Sequence, residues 1–228
     1  MVQIFTRAAG AAGLDRGSWT TQASGDGELA LVPLGRGEPR VVDDYVRHID
    51  AELNRVNRYR TDTDRVRLRI AVDQGVAYPG ANGYPGRGVV TVSRLLNSGP
   101  LRQALAAAPQ ANLALILSDD VFRALVLGDH TTYVESDFHE VEVVEKEYRA
   151  TAWIRVPGAG RPQHQPTGAG STPDQPGEPR PDDPAAGRDP AGTPGAPQPQ
   201  QRADVMNVFQ GAVDASHATF GFSGGSRG

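Results

Sequence analysis

The 228-residue chain carries 23 Lys and Arg against 27 Asp and Glu, a formal net charge of −4, and it contains no cysteine. The lack of cysteine excludes disulfides, thiolate zinc sites and cysteine nucleophiles, and the mild acidic balance, with Lys146 as the single lysine, argues against nucleic-acid partners. No apolar run approaches the ~20 residues that span a bilayer, and residues 1–9 lack the pattern of a secretory signal. We therefore expect a cytoplasmic protein with no membrane segment.

The prolines divide the chain into three parts. Twelve of the 18 prolines lie between Pro157 and Pro199, in a stretch with almost no large apolar residue. Such a composition buries too little apolar surface to offset the entropy that folding costs. We expect a globular domain over residues 1–156, a disordered Pro/Gly-rich linker over residues 157–202 and a tail over residues 203–228.

The N-terminal part of the domain has the pattern of a helix, a hairpin and a second helix. Apolar residues recur at helical spacing over residues 2–12, which are followed by a glycine. Two β-prone segments, residues 19–23 and 28–33, flank a Gly-Asp-Gly turn around Asp26, which is typical of a β-hairpin. Three-and-four spacing of apolar residues then predicts an amphipathic helix over residues 39–57.

The centre of the domain predicts a strand followed by two helices. Residues 66–72 alternate with period two, which predicts a strand that continues toward Val76. A Gly/Pro-rich loop over residues 79–86 ends this strand. Helices are predicted over residues 89–96 and 101–107.

The last part of the domain predicts the remaining strands of a sheet. Residues 113–117 form a short apolar run typical of a buried strand, and residues 119–127 predict a helix capped by Ser118. Further strands are predicted at residues 133–134, 141–144 and 152–156. The alternation favours an α/β (α+β) domain, a mixed β-sheet with helices packed on one face.

Four segments of the domain share their order and spacing with a known family. They are Gly25-Asp26-Gly27, the strand Arg67 to Gly75, the stretch Gly83 to Leu96, and Leu115 to Asp119. Together they resemble class III nucleotidyl cyclases of the actinobacterial type, over most of residues 1–156. The resemblance implies a nucleotidyl-cyclase-like mixed sheet and a homodimer, because the family builds its sites across a dimer interface.

The resemblance also implies a two-metal site. In the family, two carboxylates hold two Mg²⁺ or Mn²⁺ ions that align a nucleoside triphosphate for attack by its own ribose hydroxyl. Asp26 matches the hairpin carboxylate. The strand that carries the second carboxylate has no counterpart, because residue 2 already begins the predicted helix. Either the start is misplaced or the site has lost half of its metal ligands.

The helix after the Gly-rich loop carries two more positions of the family pattern. The resemblance assigns to Arg94 the contact that stabilises the phosphate in the transition state, whereas Val90 stands where an asparagine orients the ribose. A valine side chain cannot form that hydrogen bond. Lys146 lies near the phosphate-binding lysine of the family, while Gln22 and Gly83 depart from its base-recognition residues. The implied catalytic set is incomplete.

Several of these residues also have a purely structural interpretation. Asp26 lies between two glycines and suits a turn, and Arg94 suits the charged surface of a helix. The Gly-rich stretch over residues 80–88 lacks the Lys-Ser/Thr pair of a P-loop, which favours a structural loop.

Apolar residues return after the linker. Residues 205–222 have two β-prone arms, contain Asn, Gln and Phe, and include one charged residue and no proline. This composition is typical of a cross-β zipper, in which Asn and Gln ladders and stacked Phe rings from identical chains satisfy one another. The tail is therefore expected to be stable when many copies stack.

The tail also resembles bacterial amyloid signalling motifs related to the RIP homotypic interaction motif. The matching pattern is Asn207-Val208-Phe209-Gln210-Gly211-Ala212-Val213 followed by Phe220-Gly221. The resemblance implies self-assembly and an NTPase-type receptor that bears a matching motif. The alternative is a strand that docks on its own domain or on the edge of a partner's sheet.

Two hypotheses of function follow. In the first, the chain is a signalling protein of an immunity pathway whose inactive cyclase-like domain senses a nucleotide or dimerises, and whose tail polymerises. In the second, the domain is an active cyclase that converts a nucleoside triphosphate into a cyclic nucleotide and pyrophosphate when the tail clusters it. Val90 weighs against the second hypothesis.

Overall fold

The structure is a computed structural model that describes part of the chain. The described residues are 1–24, 27–33, 35, 38–77, 84, 86–145 and 147–159, together with the backbone of residues 203–210. The predictions for the linker from residue 160 onward and for the tail after residue 210 lie outside this part, as do those for Asp26, Gly83 and Lys146.

Helices and strands follow the predicted order over most of the domain. The helices are α1 (Val2–Ala11), α2 (Glu38–Val42), α3 (Asp44–Asn57), α4 (Arg87–Leu96), α5 (Gly99–Ala106) and α6 (Asp119–Val121), which continues as a π-helical segment, Phe122–Val126. The strands are β1 (Thr20–Ser24), β2 (Gly27–Pro33), β3 (Leu68–Ala77), β4 (Leu113–Ser118), β5 (His139–Glu145), β6 (Tyr148–Arg155) and β7 (Ala203–Gln210). Within these ranges, no helix is both long and apolar enough to cross a membrane.

The described strands form one mixed sheet. Their order is β1-β2-β7-β3-β4-β6-β5, with β3 and β4 parallel and every other neighbouring pair antiparallel. The predicted hairpin is formed by β1 and β2, in which Thr20 pairs with Leu31. The expected α+β architecture, a mixed sheet with helices packed on it, is confirmed for this part of the chain.

Strand β7 lies inside the sheet, although it comes last in the sequence. Its backbone pairs with β2 from Glu28↔Gln210 to Pro33↔Val205 and with β3 from Ile70↔Gln210 to Ala77↔Ala203. β7 therefore joins the β1-β2 hairpin to the other described strands.

Helices cover both faces of the sheet, so the expectation of helices on one face was wrong. Successive residues of a strand point to opposite faces. Ile70 and Val72 belong to the apolar cluster that contains residues of α1 and α3, whereas Ala71 belongs to the cluster that contains residues of α4 and α5. Every residue of β4 is buried. A parallel pair such as β3 and β4 needs cover on both faces.

The predicted helix over residues 39–57 is interrupted at Asp43. This residue leaves helical geometry (φ −98°, ψ −83°) between α2 and α3. Its carboxylate accepts hydrogen bonds from the Thr132 amide at 2.6 Å and from Arg47 Nε at 2.8 Å. Burial opposes ionisation of Asp43, but these hydrogen bonds outweigh it and lower the pKa of the carboxyl. The interruption thus anchors the loop around residue 132.

The predicted strand at residues 133–134 was also wrong, because these residues lie in a loop. Tyr133 is 5% exposed and packs edge-on against Phe138, with ring centroids 5.9 Å apart. The Arg155 guanidinium lies 4.1 Å from the centroid of the Tyr133 ring. The apolar and aromatic pattern at this position reflects a loop that contributes to the core.

Two asparagines join the amino ends of β3 and β4 to the end of α3. Asn57 Nδ2 donates to Asn112 Oδ1 at 2.8 Å and to the Val66 carbonyl at 2.9 Å, and Asn112 Nδ2 donates to Asn54 Oδ1 at 2.7 Å. Arg65 Nη2 also donates to Asn112 Oδ1 at 2.7 Å. Asn112 is 3% exposed, so water cannot readily replace these bonds.

We expect Asn112→Ala to lower the free energy of unfolding by about 2–3 kcal/mol, because it removes three side-chain hydrogen bonds at a buried residue, those from Asn57 and Arg65 and the one to Asn54. The matched control is Asn97→Ala, which removes one exposed side-chain hydrogen bond to the Ser93 carbonyl and should cost less than about 1 kcal/mol. Urea titrations of both variants measure the difference. An equal decrease in the free energy of unfolding in the two variants would show that the buried hydrogen bonds stabilise the fold no more than one exposed hydrogen bond does.

Candidate functional site

The carboxyl ends of β3 and β4 form one wall of a cleft. Val72 and Leu117 are the last partners of the parallel register, so Asp73 and Ser118 follow side by side directly after it. A cleft of about 780 Å³ lies between these ends, the first turn of α4 and the start of β6. Its lining includes Asp73, Gln74, Gly75, Val76, Arg87, Gly88, Thr91, Ser118, Asp119, Asp120, Tyr148, Ala150 and Thr151. The carboxyl edge of parallel strands is where α/β sheets commonly bind ligands.

Gly86 sets the distance between α4 and β3. A Cβ atom at this position would lie 2.5 Å from the carbonyl oxygen of Val76. Any side chain here would therefore push the start of α4 away from the strand. The close approach holds Arg87 and Thr91 against the cleft.

The charged groups of the cleft differ in how they are held. Asp119 accepts from Trp153 Nε1 at 2.9 Å and from Arg123 Nε at 2.6 Å, and the Trp153 bond, followed by the Arg123 bond, lowers the pKa of its carboxyl. Within the described residues, the side chains of Arg87 and Asp120 form no hydrogen bond or ion pair, and both are exposed. Asp119 is thus part of the framework, whereas Arg87 and Asp120 are available to a ligand.

Asp73 is the buried acid of the site. It is 6% exposed, and this burial raises the pKa of its carboxyl to about 6. The Ser118 hydroxyl and the Gln74 amide oppose the shift, and the nearby charge of Asp120 adds to it. Burial, Asp73 and Asp120 also raise the pKa of the Tyr148 hydroxyl. A proton at Asp73 therefore titrates near pH 6.

The arrangement offers opposite charges to a bound molecule. Arg87, in the first turn of α4, can pair with an anionic group, which the free amides at a helix N-terminus also favour. Asp73 and Asp120 can accept hydrogen bonds from amino or hydroxyl groups. In the described part, no group of three or more His, Asp or Glu residues is placed to hold a metal ion, and the predicted metal ligand Asp26 lies outside that part.

Arg94 lies away from the lining of the cleft. It is half-buried on α4, seven residues after Arg87, which corresponds to about 10 Å along the helix axis. Val90 is 53% exposed on the same helix. Gln22 is exposed on the edge strand β1. The structure thus brings none of these three predicted positions to the cleft.

The predicted assembly residues are divided by the end of β7. The backbones of Asn207, Val208, Phe209 and Gln210 lie in β7 between β2 and β3. Gly211, Val213, Phe220 and Gly221 lie outside the described residues. The cross-β interpretation of the tail stays a prediction.

Sequence reasoning assigned no role to Arg87, Asp73 or Asp120. A usable signal was present, because polar residues follow two predicted strands, Asp73-Gln74 after one and Ser118-Asp119-Asp120 after the other. When two such strands are parallel, their carboxyl ends meet at one edge of the sheet. The resemblance to cyclases instead predicted Arg94 as the phosphate-binding arginine.

No protein-family model, curated protein or solved structure matches the chain. The resemblance to nucleotidyl cyclases and to amyloid signalling motifs therefore rests on the sequence patterns.

We expect Asp73→Asn to raise the free energy of unfolding at pH 7 by up to about 3 kcal/mol, because the folded protein must hold a buried carboxylate above its raised pKa. The folded state binds this proton more tightly than the unfolded state, so the parent chain loses stability as the pH rises from about 4 through 6. The variant should lack that loss, and the two chains should be equally stable near pH 4.

Urea titrations between pH 4 and 8 measure this difference. Asp62→Asn, at an exposed carboxylate with a weak ion pair to Arg65 at 3.9 Å, is the control and should change stability by less than about 1 kcal/mol at every pH. A constant difference between the Asp73→Asn variant and the parent chain across this range would contradict the raised pKa.

Proposed function

We propose that the chain is a cytoplasmic signalling protein whose sheet domain binds a nucleotide without turning it over and whose tail joins copies into assemblies. The observation that carries the first half is the cleft, which Arg87 lines together with Asp73 and Asp120. The second half is supported by the composition of the tail. A receptor with a matching motif is the partner that the tail's resemblance implies.

A nucleotide fits the chemistry of the cleft. Its phosphates would pair with Arg87 and the amino end of α4. Its sugar hydroxyls or base amino groups would donate to Asp73 and Asp120, and the Tyr148 ring offers an apolar surface for the base. The volume of about 780 Å³ is within the range of small-molecule sites.

Two features favour binding over turnover. Val90, at the position where cyclases orient the ribose, is apolar and projects into solvent. Arg94, at the position of the transition-state arginine, is not among the residues that line the cleft. Catalysis needs groups aimed at the charge that develops in the transition state. We therefore favour a sensing domain over an active cyclase.

We expect Arg87→Ala to weaken nucleotide binding roughly 10- to 100-fold, the value of one charge-assisted contact of about 1.5–3 kcal/mol. Calorimetry with ATP, GTP, CTP and UTP, each with Mg²⁺ or Mn²⁺, measures the affinities. The control is Arg102→Ala, at an exposed arginine of α5 outside the cleft, which should bind within about twofold of the parent chain.

The same mixtures, analysed by mass spectrometry, test turnover. A cyclic nucleotide made by the parent chain but not by Asp26→Ala would replace the sensing function with an active cyclase that uses Mg²⁺ or Mn²⁺. A chain that binds none of the four nucleotides would overturn the sensing function.

The assembly half of the proposal has its own test. The full chain should form thioflavin-positive fibres, and Val213→Pro should abolish or strongly delay them, because a proline removes a ladder hydrogen bond from a cross-β strand. Val213 follows β7, so this change leaves the paired backbone of residues 203–210 intact. Ala191→Pro in the linker is the control and should form fibres as the parent does. A parent chain that stays fibre-free under seeding and clustering conditions would sink the cross-β proposal.

A further inference from the structure

The space between β2 and β3 is filled by a strand from the far end of the chain. β7 pairs with β2 over six positions and with β3 over eight. Among the described strands, β1 and β2 are hydrogen-bonded to the rest of the sheet only through β7. We call the position between β2 and β3 the strand slot.

The walls of the slot are core strands. On the β2 side Leu29, Ala30, Leu31 and Val32 are at most 5% exposed, and on the β3 side Ile70, Ala71 and Val72 are fully buried. If the slot were empty, both walls would present unpaired amide and carbonyl groups beside these apolar side chains. Such groups are costly to leave unpaired away from water. The fold therefore requires a strand in the slot.

The segment that leads to β7 is long. The domain is described to Ala159 and β7 begins at Ala203, so residues 160–202 connect them. A chain of this length can reach at most about 150 Å. That reach covers the slot of a neighbouring copy as well as the slot of the same chain.

We propose that the strand slot is an interaction surface for a second copy of this chain: residues 203–210 of one copy insert between β2 and β3 of its neighbour. The backbone pairing is the same whichever copy supplies the strand, because the sequences are identical. The balance between the two arrangements depends on the connecting segment and on protein concentration. High local concentration favours exchange.

Each contact formed by strand exchange joins two different surfaces, the strand slot of one copy and β7 of another, so it is a head-to-tail contact. Two copies that exchange strands mutually close into a dimer, whereas exchange with successive neighbours gives open chains. This contact needs only residues 203–210 and the slot. It is independent of cross-β stacking by the residues that follow β7.

The absence of natural cysteine makes the contact measurable by disulfide trapping. Ala30 of β2 and Val208 of β7 are Cα partners. Partners in an antiparallel pair lie about 4.5–5.5 Å apart, within the range that a disulfide bridges. We would purify Ala30→Cys and Val208→Cys as separate full-length proteins, mix them at equal amounts and oxidise them gently.

We expect a disulfide-linked heterodimer whose bridge joins position 30 of one copy to position 208 of the other, shown by non-reducing electrophoresis and peptide mass spectrometry. Its fraction should rise at least about fivefold between about 1 and 100 µM protein, because exchange competes with insertion of the chain's own strand. Val208→Cys mixed with Ala51→Cys, at an exposed alanine of α3, is the control for random collision and should give little heterodimer.

A second pair guards against a misfolded variant. Gln74→Cys on β3, where the side chain is exposed, and Met206→Cys on β7 probe the other wall of the slot. Heterodimer from both pairs supports the proposal, including in a Val213→Pro background where fibres are lost. A further protein carries both Ala30→Cys and Val208→Cys in one chain. The proposal is overturned if this protein closes an intramolecular disulfide while the mixed single-cysteine variants give no heterodimer up to about 100 µM. It is also overturned if neither pair forms a bridge within or between chains.

Discussion

The backbone pairing of β7 with both β2 and β3 joins the described strands into one sheet. Without a strand between them, the hairpin of β1 and β2 would lose its pairing to the other described strands. The residues of β2 and β3 that flank this position are buried in the core. Without β7, their backbone amide and carbonyl groups would lack hydrogen-bond partners. The helices on the two faces then cover a continuous surface, α1 and α3 on one side and α4 and α5 on the other.

Strand β3 belongs both to the slot and to the cleft. Its residues Gln74, Gly75 and Val76 line the cleft, and their backbones pair with Met206, Val205 and Asp204 of β7. A ligand that holds this end of β3 extended would therefore act on the same backbone that receives the strand. Two sites that share one element are coupled when the ligand prefers one of its states. The proposed nucleotide and the proposed strand exchange thus meet at one end of one strand.

The two ends of the β3-β4 pair are built differently. At the amino ends, Asn57 and Asn112 satisfy each other and the neighbouring backbone, which fixes the strands to α3. At the carboxyl ends, Asp73 is buried with a raised pKa and Arg87 has no side-chain partner among the described residues. Two exposed charges without a side-chain partner among the described residues, Arg87 and Asp120, thus lie at the carboxyl ends and line the cleft. That contrast supports the cleft as the site of function.

Elements with local signals could be predicted from the amino-acid sequence. Period-two and three-and-four spacing predicted β3, α3 and α4, the Gly-Asp-Gly turn predicted the hairpin, and the Ser118 hydroxyl accepts from the Val121 amide as a helix cap should. The place of β7, the cover on both faces and the shared cleft of Arg87 and Asp73 became visible in the folded chain alone. These features depend on contacts between residues far apart in the chain. The hydrophobic pattern of a strand predicts that it is a strand, but it does not identify the strand with which it pairs. Burial of Asp73, which moves its pKa, is likewise a property of the packed sheet.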